Sequence, residues 1–125
     1  AAVIIRGTMG TSYTFKCDIC SYSVESSGEV SYGMHYVVCP HVCMDCKIIT
    51  DVIIGMFGQS YPKEELEDPK SYHVPDFVIE EKDKFYTCEK CNGSDLTIWD
   101  NEKSKCPKCN GMMAIDSSVP SVNWD

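Results

Sequence analysis

Arginine is nearly missing from this chain. Arg6 stands with ten lysines against nineteen acids, for a formal charge of −8 over 125 residues. That balance argues against strong nucleic-acid binding, which depends on Lys and Arg displacing counterions from phosphates. Enzyme motifs are missing too: there is no HExxH, no HxE with PCxxC, no nucleophile elbow and no phosphate loop. Long apolar runs are absent: VIIGMF at 52–57 is far too short to span a bilayer. The opening AAVIIRGTMG lacks the basic start and long apolar core of a secretory signal, so a reducing, cytoplasmic setting without membrane contact is expected.

Cysteine, by contrast, is abundant, with nine in the chain. The segment CPHVCMDC at 39–46 packs three of them and a histidine into eight positions. Across the sequence, Cys17/Cys20, Cys43/Cys46, Cys88/Cys91 and Cys106/Cys109 form four CxxC units, a repeat that a disulfide scaffold has no reason to keep. A tetrahedral four-thiolate site does need it. Two thiolates three positions apart chelate one ion from a tight turn, so four turns make two sites and two zinc ions are expected. Eight thiolates and two Zn(II) would take the charge to about −12.

The chain is organised as a repeat with a spacer. YTFKCDIC at 13–20 and FYTCEKC at 85–91 each predict a strand running into a knuckle, and an apolar stretch follows the second knuckle of each half, KIITDVIIGMF at 47–57 and GMMAID at 111–116. SYGMHYVV at 31–38 reads as a strand with Gly28 and Gly33 at bends, and DLTIWD at 95–100 as a strand before the turn-prone NEKSK. The expected fold is a small, metal-stabilised, mainly β protein of two modules of short antiparallel strands. The first covers 9–57, an acidic, proline-containing crossover 58–83, the second 84–116 and a tail 117–125. PKEELED predicts one short helix with Pro62 in its first turn, VPDFVIEE an extended segment. The pattern is equally compatible with an ordered crossover and a loose linker.

Sequence order pairs Cys88, Cys91, Cys106 and Cys109 across an interval of fourteen residues, and Cys17, Cys20, Cys43 and Cys46 across twenty-two. CEKCNG and CPKCNG place a glycine where backbone amides turn back toward sulfur. In the first site Cys39 and His41 lie close enough to substitute for a ligand. Otherwise Cys39 reads as a small buried hydrophobe and His41 as a capping or solvent-facing residue. His35 and His73 have no partner at ligand spacing.

The motifs YTFKC, FYTC, CEKCNG and CPKCNG resemble the zinc-ribbon or rubredoxin-like class. The wider pattern, MGTSYTFKC at 9–17, VCMDCK at 42–47, DVIIG at 51–55 and CPKCNGMM at 106–113, is similar to small, largely uncharacterised bacterial proteins carrying two such ribbons. The resemblance implies a small antiparallel sheet over each ion, with the eight CxxC cysteines as ligands, and implies no activity. It begins at Met9, so residues 1–8 are expected to be a remnant of processing or construction, or a short added strand. Asn92 and Asn110 stand where rubredoxins have glycine, and CDICSY and CMDCKI lack that glycine altogether, which speaks against rubredoxin-like electron transfer.

Three functional expectations follow. The first is a non-enzymatic binding or adaptor protein with structural zinc, contacting another protein; the second is electron transfer with iron in a four-cysteine site, since ligand count does not choose the metal. The third is weak nucleic-acid binding through a basic rim of Lys90, Lys103, Lys105 and Lys108, with Trp99 either a stacking platform or a core residue. A redox sensor using Cys39 beside Cys43 is a further, weaker reading. Oligomeric state is left open.

Overall fold

The computed structural model describes residues 10–99 and 105–124; Met9, the segment before it, Lys103 and most of the NEKSK turn lie outside the described residues. The architecture is mainly β, in two antiparallel sheets. In the first, β1 (Gly10–Cys17) is flanked on one edge by β2 (Ser23–Ser26) and on the other by β8 (Met113–Ile115) and β9 (Val122–Trp124). The second runs β3 (Ser31–Tyr32), β4 (Tyr36–Cys43), β5 (Ile48–Met56), β6 (Gln59–Ser60), and β7 (Leu96–Ile98) also pairs with β4.

Each sheet therefore joins strands from the two halves of the chain. β1 pairs with β8 so that Phe15 faces Ile115 and Cys17 faces Met113, and β4 pairs with β7 so that Cys43 faces Leu96. The segment after residue 117 contributes a strand, β9, whose Trp124 lies opposite Gly10. A Cβ on Gly10 would sit 2.3 Å from the Trp124 ring, so only glycine admits that indole.

β4 and β5 are rich in Val and Ile, which favour the pleated, buried environment of a central hairpin. Pro40 is tolerated within β4 because its carbonyl accepts from the Trp99 amide at 3.0 Å, so its nitrogen faces the same side and the β5 ladder loses no donor. The predicted strand at 31–38 is interrupted at residues 33–35, where the Gly33 amide bonds the Tyr36 carbonyl and turns the chain from β3 into β4. The expected strand FYTC does not form. Phe85 makes a single bridge to Ile53, and Tyr86, at φ 54°, turns the chain before Cys88.

The crossover is ordered. Its helices are α1 (Lys63–Glu67), preceded by Pro62, and α2 (Asp76–Glu81), which replaces the extended run expected for VPDFVIEE. Leu66, Val74 and Val78 are buried with Met56, Tyr61 and Phe85 in one core cluster, which fixes the crossover against β5. The other cluster, Phe15, Cys17, Ile49, Trp99, Cys106 and Met113, draws on both sheets and both ends of the chain. Polar contacts also tie the sheets together: the Ile49 amide donates to the Tyr22 hydroxyl at 2.8 Å, and Asp51 accepts from the Ser26 hydroxyl at 2.7 Å and the Ser27 amide at 2.9 Å.

Candidate metal centres

The four knuckles are built alike. Each starts from a buried cysteine, Cys17, Cys43, Cys88 or Cys106, and ends on one nearer the surface, Cys91 and Cys109 being exposed. Tight backbone turns close them: Lys47 N bonds Cys43 O at 2.8 Å, Asn92 N bonds Cys88 O at 2.8 Å and Asn110 N bonds Cys106 O at 2.9 Å. The residue after the second cysteine takes a left-handed conformation in these three, at φ 57° for Lys47, 60° for Asn92 and 64° for Asn110, which Asn tolerates well. This geometry aims amides at sulfur. Ile19 and Cys20 donate to Cys17 Sγ, Cys46 to Cys43 Sγ, Gly93 to Cys91 Sγ and Gly111 to Cys109 Sγ, each at 3.4 Å.

The knuckles meet in a nested order. Cys17 and Cys20 meet Cys106 and Cys109; Cys43 and Cys46 meet Cys88 and Cys91, and within each group the sulfurs lie within 4.8 Å of one another. This corrects the pairing expected from sequence order, Cys17/Cys20 with Cys43/Cys46 and Cys88/Cys91 with Cys106/Cys109. The cause is the sheet: β1 runs into the first knuckle and β8 leaves the last, so their antiparallel pairing brings those two together. Likewise β7 leaves the third knuckle and pairs with β4, which runs into the second. A resulting regularity is that each cluster receives one Asn-Gly knuckle and one without glycine.

The clusters fit a tetrahedral metal. Zn–S bonds near 2.3 Å imply an S···S edge of about 3.8 Å, and the observed separations are 3.5 Å for Cys17–Cys109, 3.7 Å for Cys20–Cys106 and 3.7 Å for Cys43–Cys91. All nine cysteines are free thiols. The amides of Cys20 and Ile19 bring Cys17 down to about 7, and the Cys46 amide likewise lowers Cys43. Cys46 is pushed up to about 12, first by its hydrogen bond to Cys91 and then by burial and the sulfurs of Cys43 and Cys88. Four thiolates cannot share so small a space without a cation, and a divalent ion resolves the conflict.

No protein-family model, curated protein or solved structure matches this chain.

The structure shows two four-cysteine clusters in a small, mainly β protein, each able to coordinate a metal ion and consistent in geometry with a zinc-ribbon-type module.

Gly111 and Gly93 are the residues that sequence reasoning only half identified. A Cβ on Gly111 would lie 2.8 Å from Cys17 Sγ and 3.1 Å from Asp18 Oδ1, which itself accepts the Met112 amide at 2.9 Å; on Gly93 it would meet Cys91 Sγ at 3.2 Å and Asp45 Oδ2 at 3.3 Å. The missing side chain admits the opposing knuckle. Gly111→Ala is therefore expected to weaken metal retention at the Cys17/Cys20/Cys106/Cys109 cluster by about tenfold or more while leaving the other cluster unchanged. Competition with a chromophoric chelator, resolving two release phases, checks this.

Cys39 and His41 are in neither cluster. Both are buried, and His41 Nδ1 lies 2.9 Å from the Cys39 carbonyl, contrary to the expected capping or solvent-facing position. Since a carbonyl only accepts, Nδ1 carries the proton, and burial lowers the His41 pKa, which favours the neutral ring. Burial, then the Asp51 carboxylate, raises Cys39. Cys39→Ser is expected to leave metal content unchanged and to cost about 1–3 kcal/mol, because the hydroxyl enters a site that offers the thiol only a weak contact. Metal analysis and denaturant unfolding measure the two effects.

Trp99 is 4% exposed and belongs to the core, so it cannot stack a base. Lys105 and Lys108 share a groove with Lys47, whereas Lys90 lines a different cavity, so the expected rim is divided.

Proposed function

We propose that this chain is a non-enzymatic binding or adaptor protein with two structural zinc ions, and that its partner is another protein. The observation that carries this reading is the closure of both clusters, each offering four sulfurs within bonding reach of one ion. Bound there, zinc supplies a fixed tetrahedral crosslink and no open coordination position for water or substrate. The residues around it act structurally: the knuckle amides orient the thiolates, and the buried first cysteines bind each ion to the core. The low arginine count and the net charge of −8 favour a protein over nucleic acid. No helix among the described residues is long and apolar enough to cross a membrane.

The test is elemental analysis of protein made with zinc and iron both available. A colourless product with about two zinc per chain is expected. A red product holding iron would replace this reading with electron transfer. Release of zinc with no loss of folded structure would show that the ions are not structural.

A further inference from the structure

The two metal centres leave a groove between them. It has a volume of about 820 Å³, and its walls include Val42 and Met44 beside one cluster, β7 along the floor, and Lys105 to Asn110 beside the other. Its composition is unlike the rest of the protein. Lys47, Lys105 and Lys108 line it, and among the described residues its lining contains no carboxylate, although acids outnumber bases in the chain nineteen to eleven. Lys108 is held over the Tyr22 ring, 5.4 Å from its centroid. Apolar side chains stand in the open beside these ammonium groups: Ile98 is 67% exposed and Met44 39%.

Backbone geometry adds a directional element. The Met44 amide donates to the Asp95 carbonyl at 2.9 Å, and the Trp99 amide donates to the Pro40 carbonyl at 3.0 Å. Residues 95, 97 and 99 thus turn their backbone toward β4, and strand alternation turns that of Leu96 and Ile98 the other way. Among the described residues β7 pairs with β4 alone. An edge that no described residue pairs, beside a groove, is the arrangement used for adding an extended peptide as a further strand, where main-chain bonds hold the peptide and alternate side chains select it.

We propose that this groove binds an extended, acidic segment of a protein partner, added along β7, with its carboxylates on Lys47, Lys105 and Lys108 and an aliphatic side chain against Ile98 and Met44. The inference rests on the protein-binding reading above and names its surface. Charge complementarity selects the occupant: a basic peptide would meet three lysines. A single-stranded nucleic acid would find no exposed aromatic ring in the groove, because its one tryptophan, Trp99, is buried.

The experiment uses the metal-loaded full chain and fluorescent ten-residue peptides alternating Asp or Glu with Leu, Ile or Val. The same peptides with Lys replacing the acids, and an oligo-dT strand, serve as comparisons. Expected are saturable binding of the acidic set only, weakening as salt rises, and amide shifts centred on Leu96 and Ile98. Lys105→Glu with Lys108→Glu should reduce affinity by about tenfold or more. Because these lysines flank knuckle cysteines, Ile98→Asp is the second variant: its side chain is exposed and adjoins no knuckle cysteine in sequence, so it should retain both metals and should weaken the same peptides. Binding that ignores both variants, or preference for the lysine peptides or oligo-dT, overturns the proposal, and in the first case the lysines serve only to offset the thiolate clusters. Failure of the groove is separable from failure of the broader reading. Proteins captured equally by the wild type and Ile98→Asp would leave a protein-binding chain with a different surface; capture by neither would remove both.

Discussion

Replacing Cys106 and Cys109 together by serine is expected to remove one metal ion and to disorder the first sheet, not the C-terminal half as a unit. Those cysteines face Cys17 and Cys20, and the β1–β8 ladder between Phe15–Ile115 and Cys17–Met113 lies directly behind them. Binding of zinc to four-cysteine sites in small folds contributes on the order of 10 kcal/mol, comparable to the whole stability of an ordinary domain. Loss of that closure should therefore release residues 10–17 along with 113–115, although almost a hundred positions separate them. Cys43, Cys46, Cys88 and Cys91 retain their hairpin, β7 and the crossover core of Met56, Tyr61, Leu66, Val74, Val78 and Phe85.

Sequential combination of variants decides the pairing. Adding Cys17→Ser and Cys20→Ser to the double variant should cost no further metal, because that site is already lost; adding Cys88→Ser and Cys91→Ser should remove the second ion. Two ribbons closed in chain order give the opposite result in both experiments. Metal content together with amide spectra reads the outcome, and non-additivity identifies the knuckles that share an ion.

This pairing was not legible in the sequence, although its participants were. Each CxxC declares a chelating turn by its own spacing, and Asn-Gly after Cys91 and Cys109 declares the backbone reversal that aims amides at sulfur. Nothing local says which turns meet. Intervals of twenty-two and fourteen residues both suit a ribbon hairpin, and the deciding information is the long-range register of β1 with β8 and β4 with β7. The strands YTFKC and LTI were readable from β-branched and aromatic content and IITDVII only as an apolar stretch, whereas FYTC carries the same composition and is turned by Tyr86 at positive φ. In the crossover, acids and prolines masked Leu66, Val74 and Val78, a spaced apolar set that becomes recognisable as core only against β5 and Phe85.

Trp99→Ala is expected to be the most damaging substitution outside the metal ligands. The indole meets Phe15 edge to face, with ring centroids 5.1 Å apart and planes at 83°, inside the cluster that also contains Cys17, Ile49, Cys106 and Met113. Its Nε1 donates to the Lys105 carbonyl at 2.9 Å, and its own amide donates to Pro40 in β4. One residue thus joins the second sheet, the first sheet and the approach to Cys106. Truncation leaves a cavity worth about 3–5 kcal/mol, a large share of a small protein's stability. Trp99→Phe should preserve much of the packing but leave the Lys105 carbonyl without its donor, at about 1–3 kcal/mol. Because that carbonyl immediately precedes Cys106, both variants should lose metal from the Cys17/Cys20/Cys106/Cys109 cluster before the other, in the order Ala then Phe. Denaturant unfolding beside chelator competition separates the effects: equal weakening of both clusters would mean that Trp99 supports the fold as a whole and has no special hold on the knuckle at Cys106.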